Sequence, residues 1–210
     1  DNYELPNMTA YNETCAAISM VYLFERMFLL HGESKYIDCM ERTLYNGVIS
    51  GMSMDGGRFF YPNPLSSDGK YKFNADGNTT RQPWFGCACC PSNLCRFIPS
   101  VPGYLYGVKD NNIYVNLFAG NTSTIKVNGK DVVLEETTEY PWNGAIKIAV
   151  KKSGVKNANL LIRIPGWVRN QVVPSDLYKY SDAEKPAYSV TVNGKAVEAD
   201  LDANKGYLPV

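Results

Sequence analysis

The hydrophobic periodicity of the 210-residue sequence changes near Gly103, which limits the chain to a mixed fold with helices first and strands second. Before that point, apolar residues recur at helical spacing from Tyr11 to Leu30 and again from Lys35 to Ile49. Asn12 is a suitable N-cap for the first helix, and Gly32 is a suitable stop. Two helices with so short a connection predict a helical hairpin.

The stretch that follows is rich in glycine, proline, asparagine and aromatic residues. We expect an irregular loop with short strands between Gly51 and Gly86. A further helix is predicted from Pro91 to Ser100, because proline is tolerated in a first helical turn. The cysteine-rich segment before Pro91 would then lie at the start of a helix.

Beyond Gly103 the apolar residues alternate with a period of two. This pattern, separated by turn residues, predicts a β-sandwich. Asn128-Gly129 and Asn193-Gly194 predict two hairpin turns of the same type, since Asn-Gly supplies the positive φ angles of a type I′ turn. The expected strands are Tyr104–Val108, Ile113–Leu117, Thr124–Val127, Val132–Glu136, Ala145–Val150, Asn159–Ile164, Ser189–Val192 and Ala196–Asp200, with the start of another at Lys205–Val210.

The charge of the chain argues against polyanionic partners. Lysine plus arginine and aspartate plus glutamate each number 21, so no net field would attract nucleic acid or an anionic membrane surface. No apolar run approaches the roughly 20 residues that span a bilayer. We therefore expect neither a nucleic acid nor a membrane as partner.

Four of the six cysteines lie in one short stretch, Cys87, Cys89, Cys90 and Cys95. Adjacent cysteines do not easily bridge to each other, and a chain of this size does not need disulfides to be stable. A metal site or a reactive thiol is therefore a serious alternative to a disulfide here.

Two motifs carry the candidate chemistry: Asn12-Glu13-Thr14-Cys15, which opens the first helix, and Gly86-Cys87-Ala88-Cys89-Cys90-Pro91, which opens the third. Zinc accepts thiolates and carboxylates in a tetrahedron. Glu13 and Cys15 would not share a face of a regular helix, but at a first turn both side chains can reach one point. Reduced, buried cysteines are the competing interpretation.

The same motifs resemble the β-L-arabinofuranosidase family of bacterial glycoside hydrolases, glycoside hydrolase family 127 and its close relatives. The resemblance also covers Glu41-Arg42-Thr43-Leu44-Tyr45-Asn46, Leu161-Ile162-Arg163-Ile164-Pro165-Gly166-Trp167 and Lys205-Gly206-Tyr207-Leu208-Pro209-Val210. It implies a zinc ion held by Glu13, Cys15, Cys89 and Cys90, with Cys89 as the catalytic nucleophile. Attack by sulfur would give a covalent glycosyl-thioether, which water cleaves with retention.

The resemblance also implies a domain organisation. Residues 1–102 would be the C-terminal portion of an (α/α)6 barrel that carries the zinc site. Residues 103–210 would be a jelly-roll-like β-sandwich, cut before its end. The acid/base glutamate of the family would lie upstream of Asp1, so we expect the isolated fragment to be inactive.

Other polar residues have two interpretations each. Glu41 matches a family glutamate near the sugar and is our candidate substrate-binding residue, although a surface ion pair with Arg42 is equally consistent with the sequence. His31 is better explained as a cation at a helix C-terminus than as a catalytic group. Cys87 and Cys95 are expected to be non-ligands, and Cys39 a buried core thiol.

The function predicted from the sequence is therefore that of a fragment of a retaining glycoside hydrolase for β-L-arabinofuranosides or similar furanosides of plant glycans. The alternative is a non-catalytic carbohydrate-binding or structural module, with a structural zinc or buried thiols. A thiol redox protein is disfavoured, because C-x-C-C-P is not the spaced pair of thioredoxin-like proteins. We expect a carbohydrate partner, a chain that is free to form homo-oligomers, and a periplasmic or secreted location in preference to the cytoplasm.

Overall fold

The structure is a computed structural model that describes residues 6–181 and 187–210. Its chain forms two compact units. The first comprises residues 1–26 and 39–101, and the second comprises residues 27–38 and 102–210.

Three α-helices were expected from the sequence, and the described residues form three. They are α1 (Thr14–His31), α2 (Ser34–Thr43) and α3 (Cys89–Phe97). The start of α1 differs from the prediction, because the backbone N–H of Thr14 donates to the carbonyl of Tyr61 at 3.0 Å. The carbonyl of Asn12, the predicted cap, instead accepts the backbone N–H of Asn63 at 2.9 Å.

The second helix ends earlier than its periodicity predicts. After Thr43 the chain widens into a π-helical turn over Leu44–Val48 and then tightens into a 3-10 turn over Ile49–Gly51. Gly47 lies within the π-helical turn, and a Cβ atom at this position would lie 2.9 Å from the Cβ of Ala17. The segment after α2 therefore packs closely against α1 within the first unit.

The loop that follows is irregular, as predicted, and a buried asparagine organises it. The Nδ2 of Asn74 donates to the carbonyls of Phe59 at 3.2 Å and Thr80 at 2.8 Å. Its Oδ1 accepts the backbone N–H of Tyr61 at 2.8 Å. These hydrogen bonds satisfy backbone N–H and C=O groups that would otherwise require partners in a β-sheet, and they hold the backbone of Tyr61 in position.

Within residues 102–181 and 187–210 the chain forms nine short strands, as the period-two pattern predicts. A mixed sheet has the order β1-β2-β6-β9, with β2 and β6 parallel, and an antiparallel sheet has the order β3-β4-β5. Strands β7 and β8 form a separate hairpin. The strands are β1 (Tyr106–Lys109), β2 (Asn112–Val115), β3 (Asn121–Val127), β4 (Lys130–Thr138), β5 (Ile146–Ser153), β6 (Asn159–Arg163), β7 (Val190–Val192), β8 (Lys195–Val197) and β9 (Tyr207–Pro209).

The two Asn-Gly turns are confirmed. Asn128 and Gly129 have φ angles of 50° and 76°, and Asn193 and Gly194 have φ angles of 51° and 80°. All four values lie in the left-handed region that a type I′ turn requires.

The core of the second unit draws on both larger sheets. Ile113 from β2 packs with residues of β3 and β4, and Leu160 from β6 lies against the same cluster. The buried cluster is Ile113, Ile125, Val127, Val132 and Leu134. The mixed α and β character of the chain is thus confirmed, while the C-terminal portion of an (α/α)6 barrel and the jelly-roll-like β-sandwich stay predictions.

A buried arginine joins helix and sheet residues within the second unit. Arg163 is 0% exposed, and its Nη1 donates to Oδ1 of Asp38 at 2.7 Å. Its Nε donates to the carbonyl of Asn116 at 2.5 Å, and its guanidinium lies 5.4 Å from the ring centre of Phe118. The ion pair and these contacts compensate for the burial of the charge.

Among the described residues, one helix is long and apolar enough to cross a membrane by these two criteria alone, namely the 18-residue α1. Ala17, Ile18 and Val21 of this helix are buried in the first unit. A buried helix in the core of a soluble protein can meet the same criteria of length and hydropathy.

Candidate metal centre

Three segments of the first unit bring the predicted ligands together. Glu13 lies just before α1 and is bridged to Pro62 in an antiparallel arrangement, while Cys15 lies in the first turn of the helix. Cys89 and Cys90 are the first two residues of α3. Because Glu13 is still extended when the helix begins, its carboxylate and the thiol of Cys15 can point to one place.

The four predicted ligands form one cluster. One carboxylate oxygen and three sulfurs all lie within 4.8 Å of one another. The Sγ atoms of Cys15 and Cys90 are 3.5 Å apart, and those of Cys89 and Cys90 are 3.8 Å apart. The Oε1 of Glu13 lies 3.9 Å from the Sγ of Cys89. This group could hold a metal ion.

The cluster is buried unevenly. Cys90 is 0% exposed, whereas Glu13, Cys15 and Cys89 are half-buried. Burial, together with the neighbouring thiol of Cys15, raises the pKa of the Cys90 thiol well above its usual range. A divalent cation would reverse this preference, since a coordinating thiol is deprotonated.

Two tyrosines border the half-buried side of the cluster. The hydroxyl of Tyr61 is hydrogen-bonded to Tyr11 and to the thiol of Cys89, and these contacts raise the pKa of Tyr61. Its ring packs edge-on against Phe85, with 5.9 Å between ring centres. The sequence suggested Tyr61 as a sugar-stacking or core aromatic residue, and it predicted neither Tyr61 nor Tyr11 beside the metal ligands. The only signal for Tyr11 is its position beside the Asn-Glu-Thr-Cys motif.

The other candidate residues lie outside this cluster. Glu41, on α2, is buried at 7% exposure, whereas its neighbour Arg42 is exposed. His31 is the last residue of α1, and its ring stacks on Tyr36. The role of Glu41 as a substrate-binding residue stays a prediction.

No disulfide joins any of the six cysteines, all of which lie in the described part of the chain. Cys87 and Cys95 are exposed, and Cys39 is half-buried rather than buried as expected. The thiol of Cys87 approaches the sulfur of Cys89 at 4.0 Å.

Two family models match the chain. Residues 1–103 match the catalytic domain of the β-L-arabinofuranosidases of glycoside hydrolase family 127, and residues 112–210 match the middle domain of the same family. Together the two matches cover the whole chain except for a short junction, residues 104–111.

Individual relatives agree with the family models. A non-reducing end β-L-arabinofuranosidase from Bifidobacterium longum is 32% identical over the whole chain. A solved β-arabinofuranosidase of family 127 is 58% identical, with a TM-score of 0.92 over the whole chain. A solved β-L-arabinofuranosidase of the same family from Geobacillus stearothermophilus is 38% identical over 99% of the chain, with a TM-score of 0.79. The chain spans 30–31% of the length of these relatives.

Proposed function

The chain belongs to glycoside hydrolase family 127, the β-L-arabinofuranosidases, and from this membership we propose that it forms the metal-thiolate part of a retaining glycoside hydrolase. The proposed substrates are β-L-arabinofuranosides or similar furanosides of plant glycans. The observation that carries the proposal is the convergence of one carboxylate and three thiols within 4.8 Å.

Zinc is the ion that suits these donors. Zinc–sulfur bonds of about 2.3 Å give a tetrahedron with sulfur–sulfur edges of about 3.8 Å. The sulfur–sulfur distances of 3.5 and 3.8 Å are close to this value before any ion is added. Magnesium and calcium prefer oxygen donors, so three thiols argue against them. When bound, zinc would keep the thiols deprotonated at neutral pH.

Cys89 is the proposed nucleophile. Its sulfur attacks the anomeric carbon, a carbon–sulfur bond forms and the bond to the leaving oxygen breaks. Water then displaces the sulfur from the opposite face, so the configuration is retained. The mechanism also needs a carboxylic acid to protonate the leaving oxygen, and by the family resemblance this acid is a glutamate.

Two further residues assist in this proposal. Tyr61 positions Cys89, since its hydroxyl is bonded to the thiol and is itself held by Tyr11. Glu41, buried in the same unit as the cluster, would accept a hydrogen bond from a sugar hydroxyl. We place residues 1–102 in an (α/α)6 barrel and residues 103–210 in a β-sandwich.

The test measures zinc and covalent labelling in the full-length protein. We expect one zinc per chain, lost in Cys89→Ser and retained in Cys95→Ser, whose thiol is exposed on the same helix. A mechanism-based arabinofuranoside label should modify Cys89 and no other cysteine. Full zinc occupancy in Cys89→Ser, or a label on a different residue, would contradict the proposal.

A structural zinc in a non-catalytic module is the second candidate, and the number of ligands favours it. Four protein ligands complete a tetrahedron, as in structural sites, whereas catalytic zinc sites usually keep one position open. The two candidates differ in the labelling experiment. A structural site would hold zinc in the wild type, would leave Cys89 unlabelled, and would not hydrolyse an aryl β-L-arabinofuranoside offered as substrate to the full-length protein.

A further inference from the structure

Cys87 is an exposed thiol that has no role in the proposed metal site, yet it lies next to the proposed nucleophile. Its Sγ is 4.0 Å from the Sγ of Cys89. A disulfide requires about 2.05 Å between the sulfurs, so a movement of about 2 Å would close the gap.

The local backbone allows this movement. Cys87 lies in a bend before α3, and Ala88 between the two cysteines has φ −84° and ψ 37°, outside the helical region. The exposed side chain of Cys87 can therefore change rotamer without displacing packed neighbours.

The other close sulfur pairs are less suited to a disulfide. Cys89 and Cys90 are adjacent, and a trans peptide sets their Cα atoms about 3.8 Å apart, below the usual disulfide range of about 4.4–6.8 Å. Cys15 and Cys90 are closer at 3.5 Å, but the fully buried Cys90 is shielded from an oxidant in solution.

We propose that Cys87 is a resolving thiol that forms a reversible disulfide with Cys89 when hydrogen peroxide oxidises the site. The thiolate of Cys89 attacks the peroxide O–O bond and becomes a sulfenic acid, and hydroxide leaves. The sulfur of Cys87 then attacks that of Cys89, and water leaves with the proton of the Cys87 thiol. The hydroxide takes up the proton that the Cys89 thiol released when it ionised. In total, the two thiols therefore lose two electrons and two protons, and one hydrogen peroxide becomes two waters.

The disulfide would remove a ligand from the metal cluster and block the nucleophile. This consequence rests on the proposed function, whereas the disulfide itself rests only on the positions of the sulfurs. Cys87 would also protect Cys89, because a sulfenic acid that no thiol intercepts is oxidised further to an irreversible sulfinic acid.

Mass spectrometry of the peroxide-treated, full-length protein tests the proposal. After alkylation and trypsin digestion, residues 82–96 form one peptide that contains Cys87, Cys89, Cys90 and Cys95. We expect this peptide to lack two hydrogen atoms, with alkyl groups only on Cys90 and Cys95, and dithiothreitol to restore two free thiols. In Cys87→Ser we expect sulfinic acid at Cys89 that dithiothreitol does not reverse, and in Cys95→Ser the wild-type behaviour.

Two outcomes would overturn the proposal. One is full thiol recovery in Cys87→Ser after peroxide and dithiothreitol. The other is a bridge between Cys15 and Cys90, which would join the tryptic peptide ending at Arg26 to the peptide 82–96. Because these readouts are masses, absent zinc or absent hydrolysis would count against the proposed function and leave this test intact.

Discussion

Glu136 is a buried carboxylate of the second unit, enclosed by hydrogen bonds and far in sequence from the cysteines. The N–H of Ala119 donates to its Oε1 at 3.1 Å, and the hydroxyl of Tyr106 donates to its Oε2 at 3.2 Å. Burial outweighs these bonds and raises the pKa of Glu136 to about 7, from 4.5. Folding therefore favours the protonated form.

This shift predicts a pH-dependent stability. Between pH 4.5 and about 7 the folded protein holds a proton at Glu136 that the unfolded chain releases, so the free energy of unfolding falls as pH rises through this window. The slope should approach about 1.4 kcal/mol per pH unit. Glu136→Gln should remove this contribution in denaturant titrations across the window. Glu135→Gln, on the same strand but solvent-facing, should keep it; an unchanged slope in Glu136→Gln would contradict the assignment.

Tyr61 allows a second test at the scale of one atom. Tyr61→Phe keeps the aromatic ring that packs on Phe85 and removes the hydroxyl that is hydrogen-bonded to the thiol of Cys89. A hydrogen bond to a charged group contributes about 1.5–3 kcal/mol, so we expect kcat to fall about 10- to 100-fold with zinc content unchanged. Tyr11→Phe, which acts through Tyr61, should have a smaller effect. Loss of zinc in Tyr61→Phe would indicate a structural role instead.

At the scale of elements, the start of α1 depends on a glycine in the turn after α2. A Cβ at Gly51 would lie 2.5 Å from the Oγ1 of Thr14. Thr14 cannot retreat, because it is fully buried and its Oγ1 is bonded to the carbonyl of Phe60 and to Asn63, each at 3.0 Å.

Gly51→Ala should therefore disturb the metal centre, since Thr14 lies between Glu13 and Cys15. Overpacking of this kind costs about 1–3 kcal/mol, and zinc affinity should fall with it. Denaturant unfolding and competitive zinc titration measure the two effects. Gly103→Ala is the matched control, because a Cβ there meets open space. Equal stability and affinity in both variants would show that Thr14 adjusts freely.

The ion pair between Asp38 of α2 and Arg163 of β6 gives another prediction at this scale. Asp38→Asn removes the carboxylate charge that lies 2.7 Å from the fully buried guanidinium of Arg163, so we expect a loss of about 3–5 kcal/mol in the free energy of unfolding. Asp202→Asn removes an exposed carboxylate 3.9 Å from Arg169 and should cost less than about 1 kcal/mol. Similar losses in the two variants would contradict the importance of burial.

Local patterns predicted the elements better than their ends. The strands and the two Asn-Gly turns follow from side-chain alternation and from φ angles, which neighbouring residues determine. Just beyond the early end of α2, Gly47 lies close to Ala17, and at the start of α1 the N–H of Thr14 donates to the carbonyl of Tyr61. Such contacts join residues that are distant in sequence, so periodicity does not predict them.

At the scale of the whole molecule, the cysteine motifs predicted which four groups meet, because motif resemblance carries information from a family of folds. The parallel pairing of β2 with β6 was not predicted. Nor was the packing of Phe28 from α1 against Tyr114 and Gly107 in the second unit. The domain boundary near Gly103 stays a prediction.

A bound ion should stabilise the whole protein as a ligand of the folded state. Free zinc at 100 times its dissociation constant would add about 2.7 kcal/mol to the free energy of unfolding. We expect a chelator to lower the thermal midpoint of the wild type and of Cys95→Ser, and to leave that of Cys89→Ser unchanged. If a chelator does not change the thermal midpoint of the wild type, the cluster binds no ion that stabilises the folded protein.

The sulfur contact between Cys15 and Cys90 spans 75 positions, and the contact between Glu13 and Cys89 spans 76. During synthesis the first two donors leave the ribosome long before the last two exist. The two pairs of donors can come together only after the intervening loop has closed. Loop closure costs conformational entropy, and the chain loses this entropy before metal coordination can stabilise it. If the cluster binds the proposed ion, its acquisition would thus be a late event in the maturation of the nascent polypeptide, after residues 51–86 have folded.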